Sequence, residues 1–269
     1  MYRLRTVWVY AVGLVLTAFW SLRILGHKLV GSKSFARVIH DAPRQWSSGI
    51  LRAAGVRVRY ENLERLPQGR AQILVANHES WFDVFALAAT LPVDYRFVGK
   101  QELARIPVFG PAWLAAGHYS IDRSDRQAAI GSLDRVGRRM KEGGHTVVLF
   151  PEGTRSADGR LGPFKKGAFV MAINAGVPVV PVAIRGSRQI MPKGRWTARG
   201  GEIVVRVGES ISTEGYGVED RDALTRVAKG RIEALKEGPL PGRPLSGGGT
   251  VEPDEGAPPE PEEAAWRAS

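Results

Sequence analysis

The chain begins with an uncharged, mostly apolar run at residues 6–22 (TVWVYAVGLVLTAFWSL), bounded by Arg3 and Arg5 before it and Arg23 and Lys28 after it. Seventeen helical residues reach about 26 Å at ~1.5 Å each, a little short of the ~30 Å hydrocarbon core of a bilayer. Such a segment can enter a membrane, and basic residues on both flanks remove the asymmetry that would orient a crossing. Its exit, Phe19-Trp20-Ser21-Leu22-Arg23, shows no small-x-small cleavage site, so a retained anchor is expected rather than a cleaved signal or a buried core helix. Over residues 33–54, Phe35, Val38, Ile39, Ala42, Trp46, Ile50 and Leu51 recur at three- and four-residue steps, with Lys33, Arg37, Arg44 and Arg52 among them. The spacing predicts a basic amphipathic helix kinked at Pro43. Its aromatic side suits a lipid interface or a protein core equally.

Beyond Gly55 the period changes. β-branched runs at 56–60, 73–76, 95–98, 119–122, 146–150, 179–184 and 202–207 predict strands, and helical patterns lie at 84–90, 126–142, 168–175 and 219–237. The alternation indicates an α/β domain with a mostly parallel sheet flanked by helices. In such sheets chemistry collects beyond the carboxyl ends of strands. After Glu237, seven of the seventeen prolines fall within thirty-two residues beside a Gly247-Gly248-Gly249 run, and no period survives. The expected organisation is therefore a membrane-associating helix pair (1–54), an α/β domain (55–237) and a disordered tail (238–269).

Charge divides along the same line. The tail holds six acids and two bases, a net of −4, so the preceding 237 residues carry +15 of the chain's formal +11. A surface that basic seeks anionic partners: nucleic acid, an anionic membrane leaflet or a phosphorylated metabolite. The chain has no cysteine, which excludes disulfide scaffolds, thiol nucleophiles and thiolate-ligated metals.

Two strand exits carry chemistry. Asn77-His78-Glu79-Ser80-Trp81-Phe82-Asp83 follows the 73–76 run. Five residues of straight helix turn through about 500°, so His78 and Asp83 meet only if His78 lies on the turn and Asp83 on the helix's first turn. Asp83 would then fix the imidazole tautomer and leave the other nitrogen to take a proton from a hydroxyl. The same segment also reads as a capping serine, Ser80, with a carboxylate three residues on and a merely structural His78. Phe150-Pro151-Glu152-Gly153-Thr154-Arg155-Ser156 leaves the 146–150 run. There a glycine and small hydroxyls expose backbone N–H groups beside a guanidinium, as a phosphate-holding loop does, although Glu-Gly-Thr is also a common tight turn. Lys100 and Arg123 close two further strands, and Lys165 and Lys166 follow the second loop. No G-x-S-x-G elbow, Walker loop or dinucleotide fingerprint is present, and His27, His40, His118 and His145 lack metal-ligand spacing.

Four segments, in order, resemble the glycerolipid acyltransferase family typified by 1-acyl-sn-glycerol-3-phosphate acyltransferases. They are Asn77-His78-x-x-x-x-Asp83, Gly117-His118-Tyr119-Ser120-Ile121-Asp122-Arg123, Phe150 to Ser156, and Val177-Pro178-Val179-Val180-Pro181-Val182. The resemblance implies an acyltransferase α/β fold seated on a membrane by its N-terminal helices. It also implies acyl transfer from acyl-CoA or acyl carrier protein to a lysophospholipid hydroxyl. His78 would be the general base and Asp83 its orienting partner. Lys100, Arg123, Glu152, Gly153, Thr154 and Arg155 would bind or position the acceptor's phosphate, while Asn77, Pro178 and Pro181 would shape the site. Arg3, Arg5, Arg23, Lys28, Lys33, Arg37 and Arg44 are left for an anionic membrane surface. Glu79 stands where the family commonly has an amide, a departure able to alter acceptor preference.

The expected activity is transfer to 1-acylglycerol-3-phosphate, giving phosphatidic acid, at the cytoplasmic face of the cell membrane and without metal or cofactor beyond the thioester. Its rivals are the same chemistry on another lysophospholipid or lyso-aminolipid and, in a different class, a non-catalytic basic membrane-binding module. Nucleic-acid binding would rest on charge alone, since no aromatic-basic motif accompanies it.

Overall fold

A computed structural model describes residues 2–122 and 126–238; Arg123 and, beyond Gly238, the tail expected to be disordered lie outside the described residues. Helix α1 (Tyr2–Leu29) is longer than the apolar run that announced it. The flanking arginines are good helix formers, and the helix stops where Gly31 adopts a left-handed φ of 58° and Ser32 N–H returns to the His27 carbonyl. Helix α2 (Phe35–Ala54) continues through Pro43 and ends on left-handed Gly55, with β1 (Val56–Glu61) following at once.

The remaining elements are β2 (Gln72–Ala76), α3 (Phe82–Thr90), β3 (Tyr95–Lys100), α4 (Gln101–Ala104), α5 (Phe109–Ala115), β4 (Tyr119–Ile121), α6 (Arg126–Gly143), β5 (Thr146–Leu149), α7 (Gly167–Ala175), β6 (Val179–Arg185), α8 (Ser187–Ile190), β7 (Gly201–Val207) and α9 (Arg221–Glu237). Seven strands form one sheet in the order β1-β7-β6-β2-β5-β3-β4. Neighbours run parallel except β6 and β7, which are antiparallel. Five strands therefore share a direction, and their carboxyl ends line one edge.

Strand periodicity divides the core. Leu74, Ala76, Val148, Val180 and Val182 face the side covered by α2 and α3, whereas Ile73, Val75, Val147, Leu149 and Val179 face α6, α7 and α9. Both faces are covered, so β2 and β5 are buried at every position, as all-parallel central strands must be.

Residues 1–237 are one compact unit, and the N-terminal helices share its core. Val9 of α1 packs with Leu51 and Ala54 against the sheet's residues, and Ile24 with Ala112 of α5 and with Ala116 just beyond it. Trp46 Nε1 donates to Thr17 Oγ1 at 2.9 Å, tying α2 to α1. Arg44, assigned above to the membrane, is used inside the protein instead. Its guanidinium donates to the carbonyls of Leu91 (3.0 Å) and Val93 (2.7 Å) and lies 4.9 Å above the Tyr95 ring. A guanidinium so held docks α2 on the sheet.

Candidate active site

Strand β2 delivers Asn77 and His78 to the shared edge, and a tight turn brings α3 back under them. Asn77 is buried and extends the β2–β6 pairing by one rung: its Nδ2 donates to the Ile184 carbonyl (2.8 Å) and its Oδ1 accepts from Ile184 N–H (2.7 Å). The side chain does what backbone would do if the strand continued, which frees the next residue to leave the sheet.

His78 Nδ1 lies 2.8 Å from Asp83 Oδ2. The same oxygen accepts from the backbone N–H groups of Glu79 (2.6 Å) and Ser80 (2.7 Å). Three donors converge on a carboxylate with no solvent exposure, so Asp83 is an acceptor here and Nδ1 carries the hydrogen. Nε2 then holds the lone pair. The imidazole is 14% exposed and stacks on Phe150 at 4.1 Å, nearly parallel, so one ring face and the Nδ1 edge are both held. Ser80 Oγ accepts from Phe82 N–H (3.2 Å) and donates to the Met191 carbonyl (2.8 Å). The N-cap of α3 is Trp81 rather than the expected Ser80 and makes no side-chain cap bond, so the bonds of Ser80 and Asp83 brace the turn that orients His78.

The loop after β5 is sewn to this turn. Glu152 Oε1 accepts from His78 N–H at 2.8 Å and Oε2 from Gly162 N–H at 3.0 Å, while Ser156 N–H donates to the His78 carbonyl at 2.7 Å. Both Glu152 oxygens are engaged by this chain's own amides and the residue is buried. A carboxylate in that state ties the loop after β5 to the His78 turn. Gly153 has a φ of 71°, and a Cβ there would stand 2.9 Å from Lys165 Cε, so the position requires glycine and brings Lys165 beside the loop. Arg155 is half-buried, its guanidinium 5.1 Å from the Trp81 ring. Burial lowers its pKa and the charge of Asp83 raises it, which places a cation within electrostatic reach of the His78–Asp83 pair. Thr154 is exposed and accepts from Lys193 Nζ at 3.1 Å.

Not every expected residue gathers here. Lys100 is exposed at the carboxyl end of β3, on the same edge but beyond β5. Pro178 precedes β6, and its carbonyl accepts from Ile73 N–H at the amino end of β2. That is the opposite end of the sheet from His78, so Pro178 does not shape the site. Pro181 is buried within β6 opposite Val75 and acts on the edge only through the strand.

Two lysines absent from the expectations take part. Lys193 reaches Thr154 from the segment after α8. Lys236, in the last turn of α9, pairs with Glu79 and donates to the Gly159 carbonyl at 2.7 Å. Glu79 also accepts from Asn77 Nδ2 at 3.1 Å. Burial raises the Glu79 pKa, against the Lys236 ammonium, which lowers it. Glu79 thus faces inward to a lysine rather than outward to an acceptor.

Phe150 and Pro151 also wall a cavity of about 930 Å³ between α6 and α7, lined by Leu133, Phe164 and Met171 with Lys165 at its edge. An imidazole with an open Nε2, a nearby guanidinium and an adjoining apolar cavity can together deprotonate a hydroxyl on an anionic, acyl-bearing molecule.

Residues 57–185 match the family model described as Acyltransferase. The chain is 31% identical over 176 residues to a 1-acyl-sn-glycerol-3-phosphate acyltransferase of Haemophilus influenzae, covering 64% of this chain and 71% of that protein. It is 36% identical over 232 residues to a chloroplastic 1-acyl-sn-glycerol-3-phosphate acyltransferase of Arabidopsis thaliana, covering 84% of this chain and 64% of the relative. A Brassica napus chloroplastic relative is 43% identical but is spanned over only 39% of its length, so the chain covers less than two thirds of these plant proteins. The crystal structure of the 1-acyl-sn-glycerophosphate acyltransferase of Thermotoga maritima superposes with a TM-score of 0.75 at 27% identity, over 89% of this chain and 98% of that one. On these similarities of sequence and fold, the chain belongs to the 1-acyl-sn-glycerol-3-phosphate acyltransferase family.

Proposed function

We propose that this protein transfers a fatty acyl group from acyl-CoA or acyl carrier protein to the sn-2 hydroxyl of 1-acylglycerol-3-phosphate, giving phosphatidic acid. The observation that carries this function is the 2.8 Å His78 Nδ1–Asp83 Oδ2 contact, which leaves Nε2 open beside Arg155. Nε2 takes the hydroxyl proton as the oxygen attacks the thioester carbonyl. The tetrahedral intermediate then expels the thiolate, which recovers the proton from His78. A thioester is already activated, so deprotonation, oxyanion stabilisation and a held phosphate suffice, with no metal or cofactor beyond the donor. Arg155, the Thr154–Lys193 pair and Lys165 form the cationic side of the site, and Lys100 lies at the neighbouring end of β3.

The reaction takes place at the cytoplasmic face of the cell membrane. Among the described residues α1 is the helix long and apolar enough to cross a bilayer, over Leu4–Leu29. One face of it is held by the protein along its length: Val9 and Ile24 are buried, and Thr17 is bonded to Trp46. Leu4, Val7, Leu14, Val15, Phe19 and Leu22 remain exposed on the other. A helix docked in this way supports lying in the interface, because crossing would strip it from α2 and α5.

Acceptor-dependent thiol release by purified protein tests the proposal, with both donors and a panel of lysolipids. Turnover is expected on lysophosphatidic acid, falling by at least about 100-fold in His78→Ala. Activity on other lysolipids with none on lysophosphatidic acid would reassign the acceptor, and an unchanged His78→Ala would remove the histidine from the chemistry.

A further inference from the structure

The segment between α8 and β7, Met191-Pro192-Lys193-Gly194-Arg195-Trp196-Thr197-Ala198-Arg199-Gly200, belongs to neither the sheet nor the helix pair. It is nevertheless held at three points. The Met191 carbonyl accepts from Ser80 Oγ, Lys193 Nζ donates to Thr154 Oγ1, and Ala198 N–H donates to Thr6 Oγ1 of α1 at 3.2 Å. A turn closes it, with Arg195 N–H on the Pro192 carbonyl at 3.2 Å. Between these ties Trp196 stands 73% exposed, its ring 6.5 Å from that of Tyr10 on α1. Around it on α1, Val7 and Leu14 are exposed too, so the indole continues the apolar face of α1 on a separate part of the chain. Lys193 and Arg195 beside it are exposed.

A tryptophan pinned in place yet turned out of the protein gains nothing from folding. Its amphipathic ring suits the headgroup level of a bilayer, and neighbouring cations suit an anionic surface. We propose that residues 192–198 form a second membrane contact, separate from the N-terminal helix pair, that seats on anionic phospholipid and fixes the site's mouth at the lipid surface. The inference rests on the membrane association proposed above and adds a position to it. Because the loop touches both Ser80 and Thr154, an acceptor whose headgroup lies at that level meets His78 without its chains leaving the bilayer.

The absence of cysteine makes a clean probe available. Full-length Trp196→Cys carrying an environment-sensitive fluorophore is mixed with vesicles of phosphatidylglycerol or of phosphatidylcholine, with Leu14→Cys on α1 labelled as a reference. The expected result is a blue shift of the residue-196 label on phosphatidylglycerol vesicles, with quenching by lipids nitroxide-labelled near the headgroup. If the residue-14 label enters the bilayer while the residue-196 label stays in water, the loop contact is overturned and the membrane association stands. If neither enters, both fall. Trp196→Ala combined with Arg195→Gln is expected to weaken phosphatidylglycerol binding at least about tenfold and to raise KM for lysophosphatidic acid in those vesicles. Turnover on a short-chain, water-soluble acceptor is expected to stay within about twofold of the unmodified protein. Unchanged vesicle binding and KM would refute the contact, as would an equal loss on the soluble acceptor.

Discussion

Two histidines flank strands of this sheet, His78 stacked on one aromatic ring and His118 tilted against another, and only one is equipped for chemistry. His78 leaves the carboxyl end of β2 against Phe150 at 4.1 Å, and His118 enters β4 against Trp113 at 4.2 Å. The difference lies in what faces Nδ1. At His78 it is the Asp83 carboxylate, so Nδ1 donates and Nε2 is open. At His118 it is the Phe97 backbone N–H at 3.2 Å, so Nδ1 accepts. Burial, with the Arg96 charge adding to it, pushes the His118 pKa down to about 3. A histidine acts as a general base because a partner fixes its tautomer at an accessible strand end; a buried one with an amide for a partner is a packing group.

Breaking the partner should erase the distinction. Asp83→Asn is expected to lower kcat by about 10³-fold while KM for either substrate stays within about threefold, because orientation and imidazolium stabilisation are needed only in the transition state. Steady-state kinetics with folding checked by circular dichroism measures it, and a loss confined to KM would contradict the assigned role. Arg155→Ala should act the other way. Loss of a charged hydrogen-bonding group to the acceptor phosphate is expected to raise its KM by about 10- to 100-fold, with Arg155→Lys recovering only part because a point charge replaces a planar fork.

Much of this was legible beforehand, for physical reasons. All seven strands were found because a sheet covered on both faces writes continuous β-branched runs, and the His78–Asp83 pair because a turn and a first helical turn are local in sequence. What escaped depends on distance or register. Glu79 and Lys236 are 157 residues apart, and no pattern joins them. Pro178 was grouped with the site, yet which end of β6 meets His78 is set by the β2–β6 register, Ile73 opposite Val179, and not by any motif. Helices α4, α5 and α8 run four, seven and four residues, too short to show a 3.6-residue period. Arg44 was taken for a surface charge because the carbonyls it serves, at Leu91 and Val93, lie in another element.

The Glu79–Lys236 pair sharpens the comparison, since it supports the His78 turn from beneath without touching the reacting atoms. Lys236→Met is expected to lower kcat by about fivefold and to leave KM nearly unchanged, as a positioning residue should. Its stability signature has a sign. Burial already raises the Glu79 pKa in the folded state, so folding disfavours the ionised carboxyl. Removing the ammonium raises that pKa further, and the lost stability grows as pH climbs above the ordinary glutamate range. Thermal melts across that climb measure it. Glu79→Gln combined with Lys236→Met should flatten the dependence and restore most of the turnover. A pH-independent deficit would mean that the lysine serves only Gly159.

The smallest effect on turnover is expected at the other histidine. His118→Gln keeps an acceptor for Phe97 N–H but loses the ring against Trp113, so a stability cost of about 1–3 kcal/mol is expected with kcat per folded molecule within about twofold. Because the folded-state pKa lies near 3 and the ordinary value near 6.5, the unfolded chain binds the proton more readily. His118 therefore contributes its full stability above about pH 6.5 and loses it progressively as pH falls toward 3. Glutamine does not titrate, so the melting temperatures of variant and parent should converge between pH 7 and pH 4. If they stay parallel while turnover falls tenfold or more, His118 belongs with His78 in the chemistry, and the contrast drawn from their partners fails.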